Sequence, residues 1–320
     1  MNWDSIDQAL GKARERALPH TDSYLGFYSS WLGGYFREPW AMLIPLDDHG
    51  FHRGDAVFEA ARIHHRAYID MDGHLKRLER SAAAIGMTLP KTLTEIRDIC
   101  VELGRRTDVD IGVLRLYVTR GPGGFSPNPA EVIGHQIYAA VTRIKPPNAE
   151  LYANGVTAMF STVAAKDRFW SQIKSCNYLQ NVLVKQEAVK NGVDFGISLD
   201  DRGRLCEGAT ENLMVLTPAN ELVVPKFDYT LRGTTVIAVM KMAEALVSEG
   251  VIKAVRHGDL RREDILEASE AAFVGTTLAV LPIGRIDGRP MKGPHKVMPE
   301  LNRRWMAKMA TDPELRLPFN

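Results

Sequence analysis

The sequence predicts two α+β domains joined near residue 146. Three observations carry that reading. Strand-like apolar runs dominate the chain before residue 145. Strands and helices mix after it, without the regular alternation of a single parallel sheet. Between the two stretches, Pro146-Pro147-Asn148 interrupts all periodicity. Three blocks follow: residues 1–40 as an aromatic-rich N-terminal extension, 41–145 as a small domain and 146–320 as a larger one.

Tyr24, Phe27, Tyr28, Trp31, Tyr35, Phe36 and Trp40 crowd a short Gly-containing stretch. It reads as an arm packing on its own domain or on a partner subunit, with an aromatic pocket wall as the alternative. Strands are expected at 41–46, 57–63 and 66–71. A helix begins near Asp72, because Leu75, Leu78, Ala82 and Ile85 recur at helical spacing among charged residues. A second helix spans 92–104, opened by Thr92 with Glu95 three residues on, a capping box. Strands at 112–119 and 135–144 close the block.

Beyond the prolines, a strand is expected at 155–163. A helix follows at 177–190, with apolar Leu179, Val182, Leu183 and Ala188. Strands are expected at 195–199, 212–216 and 222–224. The clearest helix is 234–250, where Val236, Val239, Met240, Ala243, Leu246 and Val247 form one face and Gly250 marks the exit. Strands at 271–274 and 279–283 precede a mostly helical end at 292–310.

Composition removes several function classes. Lys+Arg number 40 against 39 Asp+Glu, a net charge of +1. That balance argues against a nucleic-acid or anionic-membrane binder working by bulk charge. Apolar residues at 45% and charged residues at 25% argue against disorder as the main character. No apolar run is long enough to span a bilayer, and residues 1–7 lack the layout of a signal peptide. Cys100, Cys176 and Cys206 are scattered, so neither a disulfide framework nor a metal site is indicated. A cytoplasmic, enzyme-sized protein is the expectation.

Some segments carry chemistry. Leu231-Arg232-Gly233-Thr234-Thr235 runs into the strongest helix. A Gly-Thr-Thr there offers backbone N–H groups, two hydroxyls and the positive end of the helix dipole, which suits a phosphate. Taken alone it reads as a simple helix cap. A second copy, Gly275-Thr276-Thr277, raises the odds of a shared anion, although no Walker loop is present. Gly121-Pro122-Gly123-Gly124 reads as a mobile loop, since no helix follows it. Lys174 falls between a strand and an amphipathic helix, a junction that presents side chains into clefts. A desolvated lysine there is a nucleophile and base, while a solvated one is inert. Glu207, in Cys206-Glu207-Gly208-Ala209-Thr210-Glu211-Asn212, reads equally as a turn residue.

Together these pieces resemble the class IV, or fold-type IV, aminotransferases. These are pyridoxal-phosphate enzymes that include the branched-chain and D-amino acid aminotransferases. Ile173-Lys174-Ser175-Cys176-Asn177-Tyr178-Leu179-Gln180-Asn181-Val182-Leu183 looks like the family's lysine motif. The spacing on to Glu207-Gly208 and Asn212-Leu213 also fits. So do the upstream string from Asp48 to Glu59 and His74-Leu75-Lys76-Arg77-Leu78. The likeness runs in one order from about Ile44 to Ile286 and leaves the first forty residues uncovered.

The resemblance implies a smaller N-terminal and a larger C-terminal domain, with pyridoxal 5′-phosphate in the cleft between them. It implies a homodimer or larger assembly, while charge, hydropathy and the scattered cysteines lead us to expect no metal, nucleic acid or membrane partner. Lys174 maps to the Schiff-base lysine and Glu207 to the carboxylate on the pyridine nitrogen. Arg77, Gly233, Thr234, Thr235 and Thr276 map to the phosphate site, and Tyr178 to a position near the phenolic oxygen. The reaction expected is amino transfer from an amino acid to a 2-oxo acid, with Lys174 as anchor, base and acid. Candidates for the substrate carboxylate are Arg53, Arg62, Arg115 and the backbone of Thr276-Thr277. Arg53 stands where branched-chain members carry a tyrosine, and Val118-Thr119-Arg120-Gly121 lacks the Arg-x-His that follows in D-amino acid members. Rival readings are an aminodeoxychorismate lyase, an (R)-selective amine transaminase, a non-enzymatic cofactor binder and a nucleotide-binding module.

Overall fold

The computed structural model describes residues 5–16, 18–293 and 295–319. The first four residues, on which part of the N-terminal reading rests, lie outside these. The chain divides into two compact units. One runs through Ile144 and takes in the segment from Arg316 onward; the other is Lys145–Leu315.

Among its described residues the first unit builds one seven-stranded antiparallel sheet. Its strands are β1 (Tyr24–Ser29), β2 (Gly34–Phe36), β3 (Ala56–His64), β4 (Ala67–Ile69), β5 (Ile111–Thr119), β6 (Gln136–Arg143) and a C-terminal strand, Arg316–Pro318. Their spatial order is C-terminal strand, β4, β3, β5, β6, β1, β2. β3 and β5 pair over nine residues, from Ala56 opposite Thr119 to His64 opposite Ile111. Strand alternation therefore sends Val57, Glu59, Ala61 and Ile63 to one face, and Phe58, Arg62 and His64 to the other. The unit's helices are α1 (Ile6–Glu15), α2 (His49–His52), α3 (Met71–Ala84) and α4 (Leu93–Thr107). α3 buries Met71, Leu75, Leu78 and Ala82, and α4 buries Ile96, Ile99, Cys100 and Leu103. The capping box of α4 forms as read: Thr92 Oγ1 accepts from Glu95 N–H, and Glu95 Oε2 accepts from Thr92 N–H.

The second unit has a mixed sheet of β7 (Val156–Phe160), β8 (Phe195–Ile197), β9 (Asn212–Leu216), β10 (Glu221–Pro225), β11 (Ala254–Gly258), β12 (Glu270–Gly275) and β13 (Ala279–Ile286). The order is β11-β10-β9-β12-β13-β7-β8, with the short strand Arg289–Pro290 paired to β13. β10–β11, β13–β7 and β7–β8 are parallel, and the remaining pairs are antiparallel. Its helices are α5 (Ala149–Asn154), α6 (Arg168–Ser171), α7 (Leu179–Lys190), α8 (Thr234–Ser248), α9 (Arg262–Leu266) and α10 (Val297–Thr311). Val156, Leu213, Val215, Phe273 and Leu281 lie in the core. α8 adds Val236, Val239, Ala243 and Leu246 to the buried set, and α10 adds Leu301, Trp305 and Met309. Glu270, in β12, accepts the N–H groups of Lys296, Val297 and Met298, so a buried carboxylate caps α10.

Several expectations are corrected. The aromatic stretch is no separate arm from residue 24 on: β1 pairs with β6, and β2 closes that edge. Residues 316–319 belong to the first unit rather than the C-terminal domain, because Arg316–Pro318 pairs with β4. Residues 41–46 form no strand. Pro39–Ala41 is a single 3-10 turn, Pro45 lacks a ladder donor, and Leu43, Ile44 and Leu46 are exposed. The Gly121–Gly124 loop is pinned instead of free. Gly121 O accepts from His49 N–H, Gly124 N–H donates to Asp47, and Pro122 bridges to Asp48. Gly121 itself has φ +101°, and a Cβ there would fall 1.9 Å from Gly134 O. α7 buries Val184 and Ala188, while Leu179, Val182 and Leu183 are exposed.

Candidate active site

The second unit gathers one set of the predicted residues. Lys174 sits between α6 and α7, so the segment before it is one helical turn and not a strand. Asp167 caps α6 by accepting from Phe169 N–H, and Ile173 N–H closes onto Trp170 O. These bonds hold Lys174 where only 9% of it is exposed. Its Nζ lies 3.5 Å from the Tyr178 hydroxyl oxygen and 5.8 Å from the ring centroid.

Glu207 sits on a short bridge strand between two neighbours. On one side Ser198 N–H donates to Glu207 O, and Cys206 N–H to Ser198 O. On the other side Glu207 bridges to Asn212, the first residue of β9. Its Oε2 accepts from Leu231 N–H at 3.0 Å. Asn212 Nδ2 donates to Leu231 O at 2.9 Å. Both backbone groups of Leu231 are thus held, one by Glu207 and one by Asn212.

That clamp delivers the chain to α8. Gly233 is the N-cap and offers no side chain to the helix end. The first helical bond is Ile237 N–H to Gly233 O, so the N–H groups of Thr234, Thr235 and Val236 have no helical carbonyl to meet. A Cβ on Gly233 would fall 1.9 Å from Asn212 Oδ1. Glycine is required there by close approach. The second Gly-Thr-Thr stands at the same end of the sheet. β12 pairs Val274 with Asn212, and Gly275-Thr276-Thr277 follows directly. Both turns therefore lie near Asn212, one reached through Val274 and the other through Leu231.

Charged groups of both signs surround Glu207. Burial pushes the Glu207 carboxyl up to about 7. Leu231 N–H, Lys166 and Lys174 pull it down, and Glu211 pushes it up. Burial lowers Lys166, with Glu207 opposing. A carboxyl at this value has room for a cation.

The first unit holds the other candidates. Arg77 is buried on α3, and Glu59 of β3 receives it in a fork: Nε to Oε1 and Nη2 to Oε2, each at 2.7 Å. His74 Nδ1 lies 2.7 Å from the same Oε2. Arg115 Nη1 donates to Thr142 Oγ1 at 2.9 Å, and cross-strand pairing of Ala60 with Arg115 sets it on the face that carries Arg62. Arg53 is exposed, and its guanidinium donates to the carbonyls of His52 and Phe125. It meets backbone oxygens here and no carboxylate.

Sequence reasoning assigned no role to Asn212 or Lys166. Asn212 had a signal, its fixed distance from Glu207. Lys166 had none, being one lysine in a polar loop.

The family model described as Amino-transferase class IV matches residues 56–286. The chain is 34% identical over 276 residues to the chloroplastic D-amino-acid transaminase of Arabidopsis thaliana, covering 85% of this chain and 73% of the relative. It is 30% identical over 266 residues to the branched-chain-amino-acid aminotransferase of Escherichia coli strain K12, covering 81% and 84%. It also superposes on the crystal structure of the branched-chain aminotransferase from the thermophilic archaeon Thermoproteus uzoniensis with norvaline. The TM-score there is 0.81, with 24% identity over 93% of this chain and 100% of that one. This last likeness bears on the fold, which is the fold-type IV architecture expected.

Proposed function

The chain belongs to the class IV aminotransferases, which use pyridoxal 5′-phosphate, and on that premise we propose that it moves an amino group between an amino acid and a 2-oxo acid, with Lys174 as anchor and proton carrier. The observation that carries this reading is the convergence, within the second unit, of a buried lysine, a buried carboxyl raised to about 7 and two donor-rich turns.

The residues suit the cofactor. The α8 end, with Gly233 as its side-chain-free cap, takes a phosphate through N–H groups and the helix dipole. Thr235 and Thr276 add hydroxyls. When bound, the cofactor supplies an aldehyde carbon and an electron-withdrawing ring that weakens the substrate's α-C–H bond. Glu207 would face the ring nitrogen and, as a carboxylate, would hold a proton on it. Lys174 Nζ takes the substrate's α-proton and gives a proton back, and its burial keeps water from competing. The reading extends to Arg77 as a further phosphate ligand, held ready by Glu59, and to Arg53, Arg62, Arg115 and the Thr276-Thr277 backbone as contacts for a substrate carboxylate.

The reading also includes a cytoplasmic homodimer. Leu179, Val182 and Leu183 are three apolar residues at helical spacing on α7 and are 72%, 55% and 41% exposed, and a second copy would cover them. Among the described residues no helix is long and apolar enough to cross a membrane.

Borohydride reduction of the yellow holoenzyme followed by peptide mapping tests the assignment. The adduct is expected on Lys174. An adduct on another lysine removes Lys174 from its role. Lys174→Ala should lower amino transfer by at least about ten-thousand-fold, since anchor and proton carrier vanish together.

A further inference from the structure

Lys166 is a half-buried ammonium that no hydrogen bond or ion pair among the described residues satisfies. Its surroundings are a ring and a more distant charge. Nζ stands 4.7 Å from the Tyr178 ring centroid, and Glu207 is the carboxylate that draws on it. Taking an ammonium out of water without an acceptor is costly. A flexible surface lysine escapes that cost by swinging into solvent.

The backbone around Lys166 is anchored on both sides. Ala164 O accepts from Gln180 Nε2 of α7. Ala165 N–H donates to Leu199 O at 2.8 Å. Asp167 is fixed as the cap of α6. Ties to two separate elements just before Lys166 and a helix cap just after it leave Lys166 little backbone freedom.

Its place relative to the other groups follows from the same bonds. Glu207 is flanked on one side by Ser198-Leu199 and on the other by Asn212 and Leu231. The Asn212 side leads to both Gly-Thr-Thr turns. The Leu199 side carries Lys166. Pyridoxal phosphate has matching chemistry. Its ring nitrogen lies opposite the aldehyde carbon. One edge between them bears the phosphate arm, and the other bears an acidic ring hydroxyl. With the nitrogen at Glu207 and the phosphate at the turns, the hydroxyl edge faces Lys166 and Tyr178.

We propose that Lys166 is a cofactor-binding residue that holds the ring oxygen of pyridoxal phosphate as its anion. The inference rests on the cofactor reading of the second unit and adds a ligand to it. A fixed ammonium beside that oxygen forms a charge-assisted hydrogen bond that keeps it ionised.

The test uses the full-length protein freed of cofactor and two ring probes that cannot bond covalently to Lys174. These are pyridoxine 5′-phosphate and its 3-deoxy analogue, which lacks the ring oxygen. Binding is read from quenching of intrinsic tryptophan fluorescence. Wild type should prefer pyridoxine 5′-phosphate. Lys166→Met, which keeps the length and removes the charge, should weaken that probe about tenfold and leave the 3-deoxy probe unchanged. Lys166→Arg should restore most of the difference. Equal loss for both probes, or loss for neither, overturns the proposal, and Lys166→Gln repeats the comparison if the Met variant does not fold. Wild type that binds neither probe brings down the cofactor reading and this inference together. Wild type that binds both, with Lys166→Met unchanged, removes Lys166 alone.

Discussion

Glu59 and Glu207 are glutamates of the two units, and burial acts on both, yet they end with opposite acidities. Glu59 meets the Arg77 fork and His74 Nδ1, and its carboxyl is held down to about 2 although burial pushes the other way. Glu207 accepts one backbone N–H and feels Lys166 and Lys174, which pull it down less than burial pushes it up, so it stands at about 7. The difference is the partner and not the depth. A carboxyl matched inside the fold is complete as it stands. A carboxyl left unmatched at a point flanked by phosphate-type turns is poised for a cation from a ligand.

Swapping each carboxyl for an amide breaks the comparison most sharply. Glu207→Gln should slow α-proton abstraction by roughly a hundred-fold or more, because the ring nitrogen loses the charge that keeps it protonated. Stopped-flow of the half-reaction reads this, and an unchanged rate removes Glu207 from the chemistry. The folding stability of the same variant without cofactor should rise at pH 8, because wild type carries a buried, destabilised charge there that the amide lacks. Glu59→Gln should do the reverse to the fold. It strands a buried Arg77 and should cost about 3–5 kcal/mol in denaturant unfolding. A loss below about 1 kcal/mol would mean that Arg77 is not held by that pair.

Gly233→Ala should come next in size. The added Cβ meets Asn212 Oδ1 at 1.9 Å, so either the α8 entrance or the Leu231 clamp must shift. Cofactor affinity should fall about tenfold, measured by fluorescence titration. Unchanged affinity would detach the α8 end from the phosphate.

The pH dependence separates the units again. Glu59 lies far below its ordinary range, so its contribution is present above about 4.5 and is lost as pH falls toward 2. His64, lowered to about 4 chiefly by burial, adds a loss as pH falls from 6.5 toward 4. Glu207 has the opposite sign. Its folded value lies above its ordinary one, so the cofactor-free protein should lose stability as pH rises from 4.5 through 7. Melting temperature against pH, with and without cofactor, checks this. Bound cofactor should flatten the rise-side loss and leave the acid-side loss in place.

The smallest expected effect belongs to Arg53→Ala. Arg53 is exposed and already donates to two carbonyls. KM for amino acids and 2-oxo acids should rise about two- to fivefold, with cofactor affinity intact. No change in KM would leave Arg53 as a tie to the loop at Phe125.

The site was legible in the sequence where its chemistry is local. Ile173 to Leu183 and Glu207 to Asn212 are contiguous strings, and the Gly-Thr-Thr ahead of the apolar face of α8 is a short-range signal. What escaped depends on pairing across distance. The fork between Glu59 and Arg77 joins residues on a strand and a helix, and neither carries a mark of the other. Lys166 gains its role only because Leu199 and Gln180 tie its loop down. β1 and β2 were hidden by aromatic residues on successive positions, which blur the period of two. α7 misled in the other direction. Its apolar residues look like a core stripe, but Val184 and Ala188 alone are buried, and the exposed ones require a surface that sequence periodicity cannot see.

Glu207 stays unmatched until the cofactor arrives, and infrared difference spectroscopy of its carboxyl, assigned by its loss in Glu207→Gln, tests that claim most directly. Without cofactor the protonated band should disappear with a midpoint near pH 7. With cofactor bound, Glu207 should stay ionised from about pH 5 upward. A midpoint in the ordinary carboxylate range without cofactor, or one that cofactor leaves unmoved, would contradict the account.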